Sequence, residues 1–267
     1  MDRRRLLKLL PLTAGLAGCT SESNPNESAT ESTKSPASTS TKATTKEPSS
    51  VLVQFRSSYR YAVNDDGIGV LSPEHDQFVF ISPPVTDEEP DTDAFRLALG
   101  DEQFEAVSSV PGFASLTPGI EAVYTEDSKS GTLMFDVPTT ETDAAALVYD
   151  GTSHPLADDG SERLATAPDF SLKEVSVPES VTPGDFIELS VAVENEGTSG
   201  GTYLAGFRTG GYPKEVDIFV EPGEEGTETV TYEAYDGSEA MYFQFDYPGG
   251  DRSYEVAIES ETTTETE

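Results

Sequence analysis

The stretch that decides the fold is VTPGDFIELSVAVENEG, residues 181–197. Ile187, Leu189, Val191 and Val193 recur with a period of two, which sets all four on one face of an extended strand. Pro183-Gly184 supplies a tight reversal ahead of it, and Asn195 with Gly197 supports the next one. The device recurs downstream, where the Glu221-Pro222-Gly223 turn precedes Thr227-Glu228-Thr229-Val230-Thr231-Tyr232.

Around this core strand lie FSLKEVSVP (170–178), TYLAGFRTGG (202–211), VDIFVEPGEEGTETVTYEAY (216–235), AMYFQFDYPGG (240–250) and SYEVAIE (253–259). Together they predict about seven strands and one β-sandwich over residues 168–259. Upstream, VLVQF (51–55), YRYAV (59–63), IGVL (68–71), QFVFISP (77–83), AFRLALG (94–100), GTLMFDVP (131–138) and AAALVYD (144–150) are strand candidates broken by turn signals such as Asn64-Asp65-Asp66-Gly67. Only QFEAVSSV (103–110) reads as a helical turn. Short strands with Pro, Gly and Asp punctuation and no long helical period predict an all-β chain: two tandem immunoglobulin-like β-sandwiches, over 51–164 and 168–259.

What precedes residue 51 reads differently. Met1 to Gly18 opens on Asp2-Arg3-Arg4-Arg5, continues through a short apolar run, and ends in small residues. That run falls short of the roughly 20 residues a membrane-spanning helix needs, so a removable export signal is expected. Arg3-Arg4 with Arg5, Leu6, Leu7 and Lys8 resembles the twin-arginine signal, which implies export of a folded chain. Leu16-Ala17-Gly18-Cys19 resembles a lipobox, which implies cleavage before Cys19 and a lipid on its thiol, each buried methylene contributing about 0.8 kcal/mol of membrane affinity. Cys19 is the sole cysteine, so no intrachain disulfide is possible. Thr20 to Ser50 holds no Val, Ile, Leu, Phe or Tyr and reads as a solvated, disordered Ser/Thr-rich stalk, with a candidate N-glycosylation site at Asn26 in Asn26-Glu27-Ser28. Ser260 to Glu267 reads as an acidic, disordered tail.

Charge bounds the solvent. The chain carries 16 Lys and Arg against 50 Asp and Glu, a formal charge of -34. Loss of residues 1–18 takes away Arg3, Arg4, Arg5, Lys8 and Asp2, leaving 12 against 49 and a balance of -37. Such an excess repels nucleic acid and strains the compact state unless salt screens it. Because the apolar alternation argues for folding, the acidity is read as adaptation to molar salt, where the Debye length is about 3 Å. Sparse lysine, no tryptophan and acidic loops resemble haloarchaeal secreted lipoproteins.

Two family resemblances follow from particular motifs. Gln77-Phe78-Val79-Phe80-Ile81, Phe95-Arg96-Leu97-Ala98-Leu99 with Asp101, Gly131-Thr132-Leu133-Met134-Phe135-Asp136-Val137-Pro138 and Leu147-Val148-Tyr149 are similar in order and spacing to an immunoglobulin-like domain of unknown function in bacterial and archaeal lipoproteins. Val181-Thr182-Pro183-Gly184-Asp185 with the strand to Gly197 resembles the CARDB type of surface-protein module. The CARDB resemblance implies adhesion or assembly at the cell surface.

Catalytic signatures are thin. His75 and His154 are the two histidines; both are expected on exposed loops, and no GxSxG elbow accompanies them, so no catalytic residue is assigned and no enzyme is expected. HExxH and EF-hand patterns are missing, and Asp65-Asp66, Asp87-Glu88-Glu89-Asp91-Asp93 and Asp158-Asp159 read as solvated acidic surface, so no metal or other cofactor is assigned. Among Tyr59, Tyr61, Tyr203, Tyr212, Tyr232, Tyr235, Tyr242 and Tyr247, most are expected to be half-buried strand residues, with Tyr212 and Tyr247 as exposed anchors for a protein or glycan.

These observations predict a non-enzymatic protein of a halophile, anchored to the extracellular side of the cell membrane by the lipid on Cys19 and presenting β-sandwiches to a surface protein or glycan. Two alternatives stand beside it. One is a solute- or ion-binding lipoprotein accessory to a transporter; the other is a surface hydrolase using His75 or His154.

Overall fold

Alternation governs the chain. In the strand Phe186–Asn195, Ile187, Leu189, Val191 and Val193 are buried while Phe186 and Glu188 are exposed, as a sheet wet on one face requires. The structure, a computed structural model, describes residues 51–84, 89–157, 159–210, 213–235 and 237–259. The export signal with Arg3 and Arg4, the lipobox Leu16, Ala17, Gly18 and Cys19, the stalk with Asn26, and the tail 260–267 lie outside the described residues, as do Asp87, Glu88, Asp158 and Tyr212.

The N-terminal half contains β1 (Val53–Arg56), β2 (Tyr59–Asn64), β3 (Gly67–Leu71), β4 (Gln77–Ile81), β5 (Phe95–Leu99), β6 (Glu102–Glu105), β7 (Ala114–Ser115), β8 (Leu133–Val137), β9 (Ala145–Tyr149) and β10 (Thr152–Pro155), followed by one helical turn, α1 (Gly160–Leu164). Sheet β1-β4-β8 faces sheet β10-β9-β5-β6. Between them pack Phe55, Val79, Ile81, Phe95, Leu97, Leu133, Phe135 and Leu147, the core of a sandwich.

All five residues of β4 are buried, because its second face is covered as well. Phe78, Phe80 and Met134 on that face pack with Tyr59, Ile120 and Val123. The unbroken run QFVFI is thus the signature of a strand enclosed on both sides. The cover includes a third sheet, β3-β2-β7.

Residues 103–110 do not form the expected helical turn. Leu99 pairs with Glu102 across a two-residue reversal at Gly100-Asp101, with Gly100 at φ +61, and Gln103 and Phe104 continue the hairpin as β6. The helical turn falls instead at α1. A second hairpin, β9–β10, turns through Asp150 (φ +47) and Gly151 (φ +69), so the Asp-Gly pair that ends AAALVYD starts a further strand.

The C-terminal half contains β11 (Phe170–Ser176), β12 (Ser180–Val181), β13 (Phe186–Asn195), β14 (Gly201–Arg208), β15 (Lys214–Val220), β16 (Glu225–Glu233), β17 (Ala240–Tyr247) and β18 (Gly250–Ile258). Sheet β11-β13-β16 packs on the five-stranded sheet β12-β18-β17-β14-β15. Ile187, Leu189, Val191, Val193, Tyr203, Phe207, Phe243, Phe245 and Val256 form the core between them. Asn195 is buried at the end of β13 and closes the loop after it. Its Nδ2 donates to the Ser199 and Val220 carbonyls, and its Oδ1 accepts from the Asp169 and Gly197 amides.

Strand β14 is buried on both faces from Tyr203 to Phe207. Tyr203, Ala205 and Phe207 face their own core, while a Cβ on Gly206 would lie 2.7 Å from Cδ1 of Ile68 on β3. The β3-β2-β7 sheet therefore meets the first sandwich on one side and β14 and β15 on the other. Period two divides β2 accordingly: Tyr59 packs against Phe80, and Arg60 points the opposite way. The described residues belong to one compact unit.

Candidate binding groove

Where the two halves meet, the β2–β3 hairpin overhangs the outer face of β14, β17 and β18. The hairpin tip is Asn64-Asp65-Asp66, and the Asp66 amide donates to Asn64 Oδ1 at 3.0 Å, an Asx turn that orders the loop. The strand residues follow from alternation: Met241, Phe243 and Phe245 are buried in the sandwich core, so Tyr242, Gln244 and Asp246 emerge on the outer face. Gln244 pairs with Arg208 on β14 and with Ser253 on β18. Tyr242, Gln244, Ser253, Arg208, Asp65 and Asp66 thereby line one groove of about 590 Å³, within the volume range of small-molecule sites.

The groove's electrostatics are mixed. Arg208 Nε donates to Asp246 Oδ2 at 3.1 Å and is held in place by it. Burial pushes the Asp246 carboxyl above the usual range, partly offset by the Arg208 charge and hydrogen bond. Tyr242 is 65% exposed, an aromatic ring held open to solvent beside an amide, a hydroxyl and a guanidinium. This is a set for binding polar, flat-faced ligands, with a ring for stacking and donors and acceptors for orientation. Among the described residues no base hydrogen-bonds to the Ser253 hydroxyl.

The tyrosines divide by depth. Tyr59, Tyr203 and Tyr232 are buried, Tyr61 is half-buried and stacks on Tyr59 at 6.1 Å, and Tyr235 and Tyr242 are exposed. Tyr247 is not the exposed anchor expected: it stacks on Phe245 with centroids 5.2 Å apart and lies 5.3 Å from the Arg252 guanidinium, because period two along β17 sets it on the inner face with Phe243 and Phe245, packed against the core.

His75 lies on an exposed loop with Nδ1 3.2 Å from Asp136 Oδ1. The same carboxylate accepts the backbone amides of Glu74 and His75, at 2.6 and 3.1 Å, so it clasps the loop. His154 is not on a loop but on edge strand β10, put there by the Asp150-Gly151 hairpin, and its Nδ1 is buried without a partner. Among the described residues no hydroxyl hydrogen-bonds to either imidazole. Asp65 and Asp66 stand at the groove, Asp91 pairs with Lys129, and among the described residues no three His, Cys, Asp or Glu side chains cluster as a metal site.

Arg208 and Gln244 were not singled out from the sequence. The signal was present in MYFQFDY, where Gln244 and Asp246 alternate with buried aromatics, but only the pairing of β17 with β14 adds Arg208.

No family model and no curated protein matches the chain. Among solved structures it is similar to a beta-glucosidase from Listeria innocua, crystallised in complex with isofagomine, at 16% sequence identity and a TM-score of 0.29. The likeness covers 34% of this chain and 16% of that one, and is too slight to bear on function.

Proposed function

We propose that the chain is a non-enzymatic envelope protein of a halophile, exported through its Arg3-Arg4 signal, anchored outside the cell membrane by lipid on Cys19, and built to bind a surface protein or glycan. Its immunoglobulin-like modules, the second of CARDB type, stand off from the membrane on the Ser/Thr-rich stalk. The observation that carries the binding role is the groove in which Tyr242 stands 65% exposed beside Gln244, Ser253 and Arg208. Exposed aromatics with fixed polar neighbours dominate recognition energetics, and here the strand pairing holds them rigidly.

The test has two arms. In the producing cells, Cys19→Ser is expected to shed the protein into the medium; retention on the membrane would remove the anchor from the reading. In vitro, the Cys19→Ser chain immobilised in multimolar KCl is expected to retain purified envelope glycan or surface-layer protein, and Tyr242→Ala to lose that retention at unchanged melting temperature. Equal retention by both proteins would take the groove out of the function.

A further inference from the structure

A second cleft, of about 180 Å³, lies between the end of β1 and the loop before β14 and is lined by Phe55, Arg56, Ser57, Gln77, Arg163 and Phe219 among others. Its lining includes two arginines in a chain with 50 acidic residues. The Arg56 guanidinium donates to neutral acceptors: the Phe55 carbonyl at 2.8 Å, the Pro118 carbonyl at 2.9 Å and Gln54 Oε1 at 2.9 Å. Arg163 lies with its guanidinium carbon 4.6 Å from the centroid of the Phe55 ring.

Among the described residues neither arginine has a carboxylate within ion-pairing distance, whereas Arg60, Arg96 and Arg208 each do. The Glu221 carboxylate, beside Gly200 at the cleft's edge, pairs with neither. Burial and the Arg163 charge both weaken Arg56's hold on its proton, as expected for cations gathered without a counter-charge. The Ser57 hydroxyl oxygen, on the same cleft, is buried and has no hydrogen-bond partner.

An acidic surface adapted to salt has carboxylates to spare for two arginines, yet among the described residues both are left without a counter-charge, which costs stability. An anion in the cleft supplies the counter-charge that both arginines lack. We infer that the cleft formed by Arg56, Arg163 and Ser57 binds a single oxyanion group, a carboxylate or a sulfate. Guanidinium forks take such groups bidentately, which favours them over the spherical chloride that surrounds a halophile's protein. Phe55 and Phe219, the latter 62% exposed, supply apolar walls for the carbon skeleton bearing the group.

The test uses the full chain carrying Cys19→Ser, labelled with nitrogen-15 at arginine, in constant multimolar KCl. Potassium sulfate and potassium acetate are titrated separately while the arginine Nε–H signals are followed. The Arg56 and Arg163 signals are expected to shift saturably with at least one of the two anions, while Arg60 and Arg208 stay in place; which anion saturates at lower concentration assigns the group. Arg163→Gln is expected to abolish saturation at Arg56. Arg163→Lys, which keeps the charge without the fork, is expected to weaken binding about tenfold and serves if the Gln variant does not fold. Linear, non-saturating shifts with both anions, shifts of equal size at all the arginines, or affinity unchanged in the Lys variant would overturn the assignment. The readout does not depend on the Tyr242 groove.

Discussion

The Arg60 guanidinium, wholly buried on β2, meets the Asp217 carboxylate on β15 at 2.5 Å and so ties the first half of the chain to the second. It also pairs with Glu215 and donates to the carbonyls of Ala205 and Val216, each at 3.1 Å, and to Leu116. Every direction in which the cation donates ends on an acceptor, which is the condition for burying it.

Arg60→Met should therefore be costly, and Asp217→Asn should not. Methionine leaves two buried carbonyls and the half-buried Leu116 carbonyl without their donor, and the expected loss is about 3 kcal/mol. The Asp217 side chain is 39% exposed, so its neutral variant should lose less than about 1 kcal/mol. Urea denaturation in multimolar KCl measures both. Equal losses would mean that the ion pair, rather than the carbonyl set, holds the junction.

Gly206 sets the spacing at the same junction. A Cβ there would lie 2.7 Å from Ile68 Cδ1 and 2.9 Å from Ile68 Cγ2, closer than packed carbons approach. Gly206→Ala is expected to cost about 1–3 kcal/mol by overpacking. Ile68→Ala alone should cost a similar amount by leaving a cavity, and the double variant should recover part of the loss. Additive losses measured by the same denaturation would place the strain elsewhere.

The strands were legible because their signal is local. Ile187 to Val193 alternate in the sequence as they do in the structure, and Pro183-Gly184 and Glu221-Pro222-Gly223 mark real reversals. Residues 103–110 misled because the strand there is short and flanked by glutamates, Phe104 being its one strand-favouring residue; pairing with β5 makes the strand, and that partner is set by the hairpin at Gly100. The full burial of QFVFI and the inward turn of Arg60 depend on a third sheet, which no local period announces. The groove was half legible: the aromatic content of β17 pointed to exposed tyrosine, but which tyrosine emerges depends on strand phase, and phase put Tyr242 outward and folded Tyr247 back.

Two buried phenols should respond oppositely to the loss of a hydroxyl. The Tyr203 oxygen has no hydrogen-bond partner, so Tyr203→Phe should be neutral or stabilise by up to about 1 kcal/mol. The Tyr232 oxygen donates to the Phe207 carbonyl at 2.9 Å, and Tyr232→Phe should cost about 1 kcal/mol. Burial is the main cause that raises both phenols above the ordinary value of 10.0. The unfolded chain therefore releases these protons first as pH rises, so their contribution is complete below about pH 10 and is lost above it. Melting curves across the alkaline range should fall less steeply in either Phe variant than in the parent. A parallel fall would show that these two phenols do not govern alkaline unfolding.

The acidic surface ties stability to salt. With a formal charge of -34 and part-exposed ion pairs such as Arg96 with Glu105, little of the charge is neutralised by contact. In dilute buffer the Debye length is about 10 Å, long enough for neighbouring carboxylates to repel across each sheet face; at 1 M salt it is about 3 Å, shorter than their spacing. Raising KCl from about 0.1 M to several molar should lift the melting temperature by about 10 °C or more, several kcal/mol for a unit of this size. The Arg60 guanidinium itself is wholly buried and donates to buried carbonyls, so the gap between the parent and Arg60→Met should persist at every salt concentration. A melting temperature flat in KCl would sink the salt-adaptation reading, and a gap that closes as salt rises would show that solvent reaches Arg60.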